Sequence, residues 1–232
     1  MRTVLRWLSP DPPATVVRLR GQLEAVAGIE PRQVRTDDDL RIDLDRLTIE
    51  VVRADDRPNG APADERLELV RRPPASAPKG PLQSSRPESD VPRLVAIGWA
   101  TVEIERFAAD LGSPAIPCPN DVILGAFAAS VAGDPPLVLL EPETEGRLVA
   151  SLAHWGEGPV ALYLAANGTT GGLAGVAARL HASGFHATAI APGPFGPELA
   201  IVGGPVRGPH LLFCEHGGPG DPGRPSPKDA LR

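Results

Sequence analysis

Apolar and polar residues alternate through LRIDLD (40–45) and LTIEVVR (47–53). Leu40, Ile42 and Leu44 share one face and Leu47, Ile49 and Val51 another, the period-two signature of strands. Just upstream the period changes. In PPATVVRLRGQLEAVAG, Val16, Leu19, Leu23 and Val26 recur at helical spacing. Pro12 and Pro13 stand near the start of this helix and Gly28 stops it. Residues 2–8 and 66–70 read as further strands. The order over residues 1–71 is therefore strand, helix, then two or three strands.

Residues 72–92 break the pattern. They are rich in Pro, Ser and charge and offer almost nothing to bury, so they read as a flexible linker. Residues 216–232 read in the same way as a disordered tail. Between these segments the earlier order returns twice. Strands are expected at 94–104, 123–131 and 137–142, with a helix over ERFAADLG and a weak strand at 115–118. A connecting helix, ETEGRLVASLAHWG, leads to a strand at 159–165. A helix over TTGGLAGVAARLHASG follows, with a Thr cap and a Gly184 stop, and then three strands, FHATAI, ELAIVGG and PHLLFCE. The expected fold class is α+β, with paired βαβββ units over 93–215 and a small N-terminal α+β region that reads as a worn third unit.

Composition narrows the picture. Apolar residues make up 42% and aromatics only 4%, so the core must be built from Ala, Val, Leu and Ile. A net charge of −6 argues against a nucleic-acid partner, which favours a basic face. No run of 18 apolar residues points to a membrane, and the first residues lack the apolar core of a signal peptide. Cys118 and Cys214 show no metal-binding spacing and read as free thiols in a reducing cytoplasm. A cytoplasmic location is expected.

Five short motifs carry a family resemblance: LLEPETEG (139–146), GEG (156–158), LHASGF (180–185), ELAIVGG (198–204) and GPHLLFCE (208–215). In their order and spacing the chain resembles the vicinal oxygen chelate superfamily, nearest its glyoxalase and methylmalonyl-CoA epimerase-like branch. The resemblance implies that each βαβββ unit curls into half of a cup, with metal ligands on its first and last strands. Mapped one at a time, those positions fall on Ala96, Val138, Ala161 and Leu212. Divalent ions need N, O or S donors, and these side chains have none. The resemblance therefore implies the scaffold without metal or other cofactor, and with no catalytic residue that can be named. What it leaves is a concave, largely apolar cup for a small, largely apolar molecule.

Alternation along the strands then sets the lining. Ala161 brings Tyr163 and Ala165 to the cup, Leu212 brings His210 and Cys214, and Ala96 brings Gly98 and Ala100 while Trp99 turns away. The candidate ligand-binding set is Tyr163, His210 and Cys214 with Ala96, Val138, Ala161 and Leu212. A phenol and an imidazole can orient a ligand or exchange its protons. The plainer reading makes Tyr163 a local hydrogen-bonder, His210 a wet strand end and Cys214 a small buried hydrophobe. The small residues leave room, which counts against a filled cup.

Two other functions stay open: a metal-independent isomerase or lyase using Tyr163 and His210, and a structural or interaction module whose cup is filled by its own side chains. The expected partner is a small molecule, with no nucleic acid or membrane. Exposed sheet edges need cover, from residues 1–71 or from a second copy in a homodimer. GTTGGLAG (168–175) has the form of an anion loop but is more simply a set of turn glycines. Glu141, Glu143 and Glu145 are expected to begin a helix, where carboxylates are favoured.

Overall fold

The computed structural model describes residues 3–27, 41–44, 47–54, 65–70, 92–133, 135–143, 145–166, 171–202 and 209–215. The expected tail and all of the expected linker except Pro92 lie outside the described residues.

The first five elements are β1 (Thr3–Ser9), α1 (Pro12–Ala27), β2 (Arg41–Leu44), β3 (Leu47–Arg53) and β4 (Arg66–Val70). They form a sheet in the order β2-β3-β1-β4. Strands β1 and β3 are parallel, as a crossover through α1 requires. Strand β4 runs antiparallel along the other side of β1. The residue just before β4 explains the placement. Glu65 accepts hydrogen bonds from the Trp7 indole (2.9 Å) and the Thr15 hydroxyl (3.0 Å), and pairs with Arg18. These contacts pin the start of β4 to both β1 and α1.

The rest of the chain builds one large sheet. Its first unit comprises β5 (Arg93–Ala100), α2 (Ile104–Asp110), β6 (Ala115–Asp121), β7 (Ala126–Val131) and β8 (Leu137–Pro142). Helix α3 (Arg147–Trp155) leads to the second: β9 (Gly158–Ala165), α4 (Gly172–Ala182), β10 (His186–Ala187), β11 (Ala191–Gly193), β12 (Gly196–Val202) and β13 (His210–Cys214). The strand order is β10-β12-β13-β9-β5-β8-β7-β6, with β11 also on β12. In each unit the last strand returns parallel beside the first, β8 on β5 and β13 on β9. The two units join where β5 and β9 run antiparallel. The N-terminal sheet differs here, because its last strand lies antiparallel on the opposite side of the first.

Of the boundaries that differ from the sequence reading, two shape the sheet. Strand β5 stops at Ala100, four residues early. Beyond it the Glu157 carboxylate accepts from the Thr101 hydroxyl (2.6 Å) and the Val102 amide (2.9 Å), which turns the chain out of the sheet. The strand expected at FHATAI is reduced to the two residues of β10, and the edge of β12 is completed by β11.

The sheet curls until its edges touch. The Val122 amide, just after β6, donates to the Pro192 carbonyl on β11 at 3.3 Å. Helix α2 covers part of the outer face through Trp99, Phe107, Ala108 and Leu139. The remainder is covered by α4 and by the N-terminal region. One apolar cluster runs from Leu5, Trp7 and Ile49 through Leu19 and Val26 to Val176, Leu180, Leu164 and Phe213. Arg179 of α4 fastens this contact by donating to the carbonyls of Ala25 (3.2 Å) and Val26 (3.0 Å) at the end of α1. Those carbonyls have no partner within their own helix. Helix α3 lies on the inner face, where Leu148 and Leu152 pack.

Candidate functional site

The inner face is where the mapped ligand positions meet. Gly98 of β5 stands between Val138 and Ala161, and Ala161 stands beside His210. On the next rung Tyr163 stands between Ala96 and Leu212. Ala96, Val138, Ala161 and Leu212 are thus neighbours on two adjacent rungs, and all four are fully buried. They do not fit a metal ion, because methyl and isopropyl groups donate no electron pair. Among the described residues no group of three His, Cys, Asp or Glu side chains is placed to hold one.

The space expected from the small residues is taken. A side chain at Gly98 would meet the Ala161 methyl at 2.8 Å, the Tyr163 ring at 3.0 Å and a Leu140 methyl at 3.1 Å. Phe195, from the turn between β11 and β12, sets its ring edge-on to Tyr163 at 5.3 Å. Tyr163 and Cys214 are fully buried with the same cluster, and His210 is only 4% exposed. The reading of His210 as a wet strand end is therefore corrected. It starts β13 with its side chain enclosed, and its Nε2 has no hydrogen-bond partner among the described residues. Burial, with the nearby Arg147 charge adding to it, pulls the imidazole down to about 4, so it is neutral. Burial likewise pushes the Cys214 thiol up to about 12.

Curling of the sheet adds two carboxyls to this face. The Tyr163 hydroxyl donates to Asp121 Oδ2 at 2.5 Å, and the Leu124 amide donates to Oδ1 at 2.7 Å. The Asp121 carboxyl also faces that of Glu198 on β12, close enough for each to perturb the other. Among the described residues no donor reaches either Glu198 oxygen. Two carboxylates cannot be buried together without a proton between them. Burial, then the Asp121 charge, pushes Glu198 up to about 10, so Glu198 carries that proton. Burial also raises Asp121, against the bonds from Tyr163 and the Leu124 amide. The Glu198 carboxyl lies on the bare face of Gly193, where a side chain would sit 1.9 Å from its carbon.

Other polar residues serve the framework. Glu141 accepts from the Ile104 amide at 2.9 Å and so caps α2, and Glu143 accepts from Asn120 at 3.0 Å. Neither begins α3, which starts at Arg147; this corrects the helix-start reading. Glu157, drawn down to about 2 by the Thr101 hydroxyl and then by Arg106, is held by those two groups and the Val102 amide. In the first turn of α4 the Leu173 amide already meets an anion from the chain itself, donating to Glu215 at 3.3 Å.

Open space lies on the other side of the sheet. A groove of about 600 Å³ runs between β4 and the outer face near α2. Its walls include Trp99 and Phe107, with ring centres 5.3 Å apart, and Trp155. Arg66 stands over the Trp155 ring at 5.6 Å. Leu67 and Leu69 come from β4, and Gly156, Glu157 and Gly158 form one end.

No family model matches the chain, and no curated protein matches it. Solved structures do. A methylmalonyl-CoA epimerase from Mycobacterium tuberculosis is 20% identical over 60% of this chain and 91% of its own, with a TM-score of 0.44. A hypothetical protein, BH1468 from Bacillus halodurans C-125, is 20% identical over 53% of this chain and 94% of its own, at 0.43. A methylmalonyl-CoA epimerase in complex with methylmalonyl-CoA and NH4+ is 19% identical over 55% and 99%, at 0.40. The chain has the fold of paired βαβββ units. Strand order and direction carry that statement, rather than these scores.

Sequence reasoning placed the strands of the inner face but missed its chemistry. Glu198 stands two residues from Ala200 and so shares its face. That parity was the available signal. The pairing of Glu198 with Asp121 was not available, because it needs the two edges of the sheet to meet. The groove was missed for the same reason. Its walls come from both sides of residues 71–91, and alternation along β5 says of Trp99 only that it turns away from the cup.

Proposed function

We propose that this is a metal-independent protein of the vicinal oxygen chelate type that binds a small, largely apolar molecule, and that the molecule lies in the outer groove. The observation that carries the reading is the contrast between the two faces. At all seven expected cup positions the side chains are buried, and six of them, all but His210, pack in one cluster. The groove offers about 600 Å³ and gathers Trp99, Phe107 and Trp155, three of the nine aromatic residues in the chain. Concave, aromatic-lined sites of several hundred Å³ suit small ligands. The seven inner residues, Tyr163, His210, Cys214, Ala96, Val138, Ala161 and Leu212, then act as the packed support of the groove rather than its lining. Elemental analysis of protein purified without chelator, paired with calorimetric titration of a naphthalene-based probe, tests the proposal. Saturable binding with no stoichiometric metal is expected. Near one equivalent of Zn, Ni, Mn or Fe, or no binding, would sink it.

A second reading, metal-independent isomerase or lyase chemistry, is favoured by the protonated Glu198 beside Asp121 and Tyr163. An acid and a base held side by side can take a proton from carbon and return it. Phe195 covers this set and would have to swing away first. Deuterium uptake from solvent into a carbonyl compound with one acidic C–H, lost in Asp121→Asn, would favour this reading; uptake that persists in that variant would dismiss it.

A further inference from the structure

We infer that the outer groove is selective for a flat apolar ring system bearing one carboxylate, with Arg66 as its charge partner. This rests on the reading of the groove as the binding site and deepens it. The argument is a census of donors and acceptors along the lining. The groove has two carboxylates, Glu68 and Glu157. Glu157 is saturated by the Thr101 hydroxyl, the Val102 amide and Arg106. Glu68 is paired with Arg66, Nη2 to Oε1 at 3.0 Å. Glu157 therefore has no charge left for a cationic ligand, and Glu68 keeps only its Oε2 oxygen outside the pair with Arg66.

The donors differ. Arg66 has five N–H groups in a planar fork, and among the described residues its one ion pair is that with Glu68. Its side chain is 47% exposed, so the rest of the fork can take a second anion. The Trp99 Nε1 donor also lacks a partner among the described residues. Trp99 Nε1 is itself buried, so the accessible polar side-chain groups of the lining are the unused N–H groups of the Arg66 fork, which outnumber the one free oxygen of Glu68. A guanidinium already held over an indole is also pre-positioned, so little side-chain freedom is lost when it binds. Trp99, Phe107 and Trp155 supply flat apolar contact for a ring, and the aliphatic Leu67, Leu69 and Leu111 supply the rest.

The test uses the full-length chain and calorimetric titration with two probes of equal shape, 1-naphthoate and 1-naphthalenemethanol. The acid should bind roughly tenfold more tightly than the alcohol, as a charge-assisted fork contact allows. Arg66→Gln should remove that preference by weakening the acid more than the alcohol. Glu68→Gln, which frees the fork, should strengthen the acid more than the alcohol. Both side chains are about half exposed, and circular dichroism checks that the fold is kept. Equal affinity for the two probes, a preference that survives Arg66→Gln, or weaker acid binding in Glu68→Gln would overturn the inference while leaving the binding site in place. Failure of both probes to bind at up to roughly 1 mM would overturn the site and the inference together.

Discussion

Glu198→Gln tests the inner face in one measurement. In the unfolded chain this carboxyl ionises near 4.5, and in the folded chain burial holds it protonated to about 10. Its contribution to stability is therefore complete below 4.5 and is lost as the pH rises toward 10. Each pH unit in that window costs about 1.4 kcal/mol. Part of the window is masked by His210, which unfolds to a group titrating at 6.5 but is held near 4 in the fold. That group loses stability as pH falls from 6.5 to 4, so its slope opposes that of Glu198 there. Asp121, also raised, carries the same sign as Glu198. Cys214 begins to contribute above its ordinary value of 9.0. The interval free of His210 and Cys214 is therefore pH 6.5 to 9, where Glu198, with Asp121 acting in the same direction, should lower stability by about 3 kcal/mol.

Glutamine keeps a donor for Asp121 without needing a proton. Urea denaturation at half-unit steps across the interval should show a falling stability in the natural chain and a clearly shallower fall in Glu198→Gln. A level profile in the natural chain, or the same slope in both, would refute the placement of a protonated Glu198 against Asp121.

Gly98→Ala should cost about 1–3 kcal/mol in urea, because its methyl would sit 2.8 Å from Ala161; an unchanged midpoint would show that the inner face has space to spare. Phe195→Ala should cost about 3 kcal/mol, and because Tyr163 is the one tyrosine of the chain, its resistance to tetranitromethane should be lost in the variant. Nitration of Tyr163 in the natural fold would contradict its burial. Arg179→Met should cost about 1 kcal/mol and speed amide exchange in the last turn of α1, and no change in exchange would mean that the carbonyls of Ala25 and Val26 need no cap. Deleting residues 1–71 uncovers the apolar face around Val176 and Leu180, so light scattering should show self-association; a soluble monomer would show that α4 needs no cover.

The period of the hydrophobic pattern was enough to find nearly every element after residue 92, because a strand or helix that buries one face must repeat at 2.0 or 3.6 residues. Alternation also put Ala96, Ala161, Tyr163 and Leu212 on one face of the sheet, and residue chemistry alone made Ala96, Val138, Ala161 and Leu212 unable to hold a metal. Pairing was less legible. Strand β4 has the pattern of any short strand, and what sends it to the far side of β1 is Glu65 reaching Trp7, Thr15 and Arg18, each distant in sequence. Whether the cup was open or filled depended on volume rather than pattern. Small residues at Gly98 and Ala161 look like space in a sequence, and become the seat of the Tyr163 ring once the sheet curls. The same curl brings Asp121 on one edge to Glu198 near the other, and the docking of β4 beside α2 creates the groove between them. Periodicity is a property of neighbours along the chain. Closure, filling and buried charge pairs are properties of neighbours across it, and only the tertiary structure chooses those.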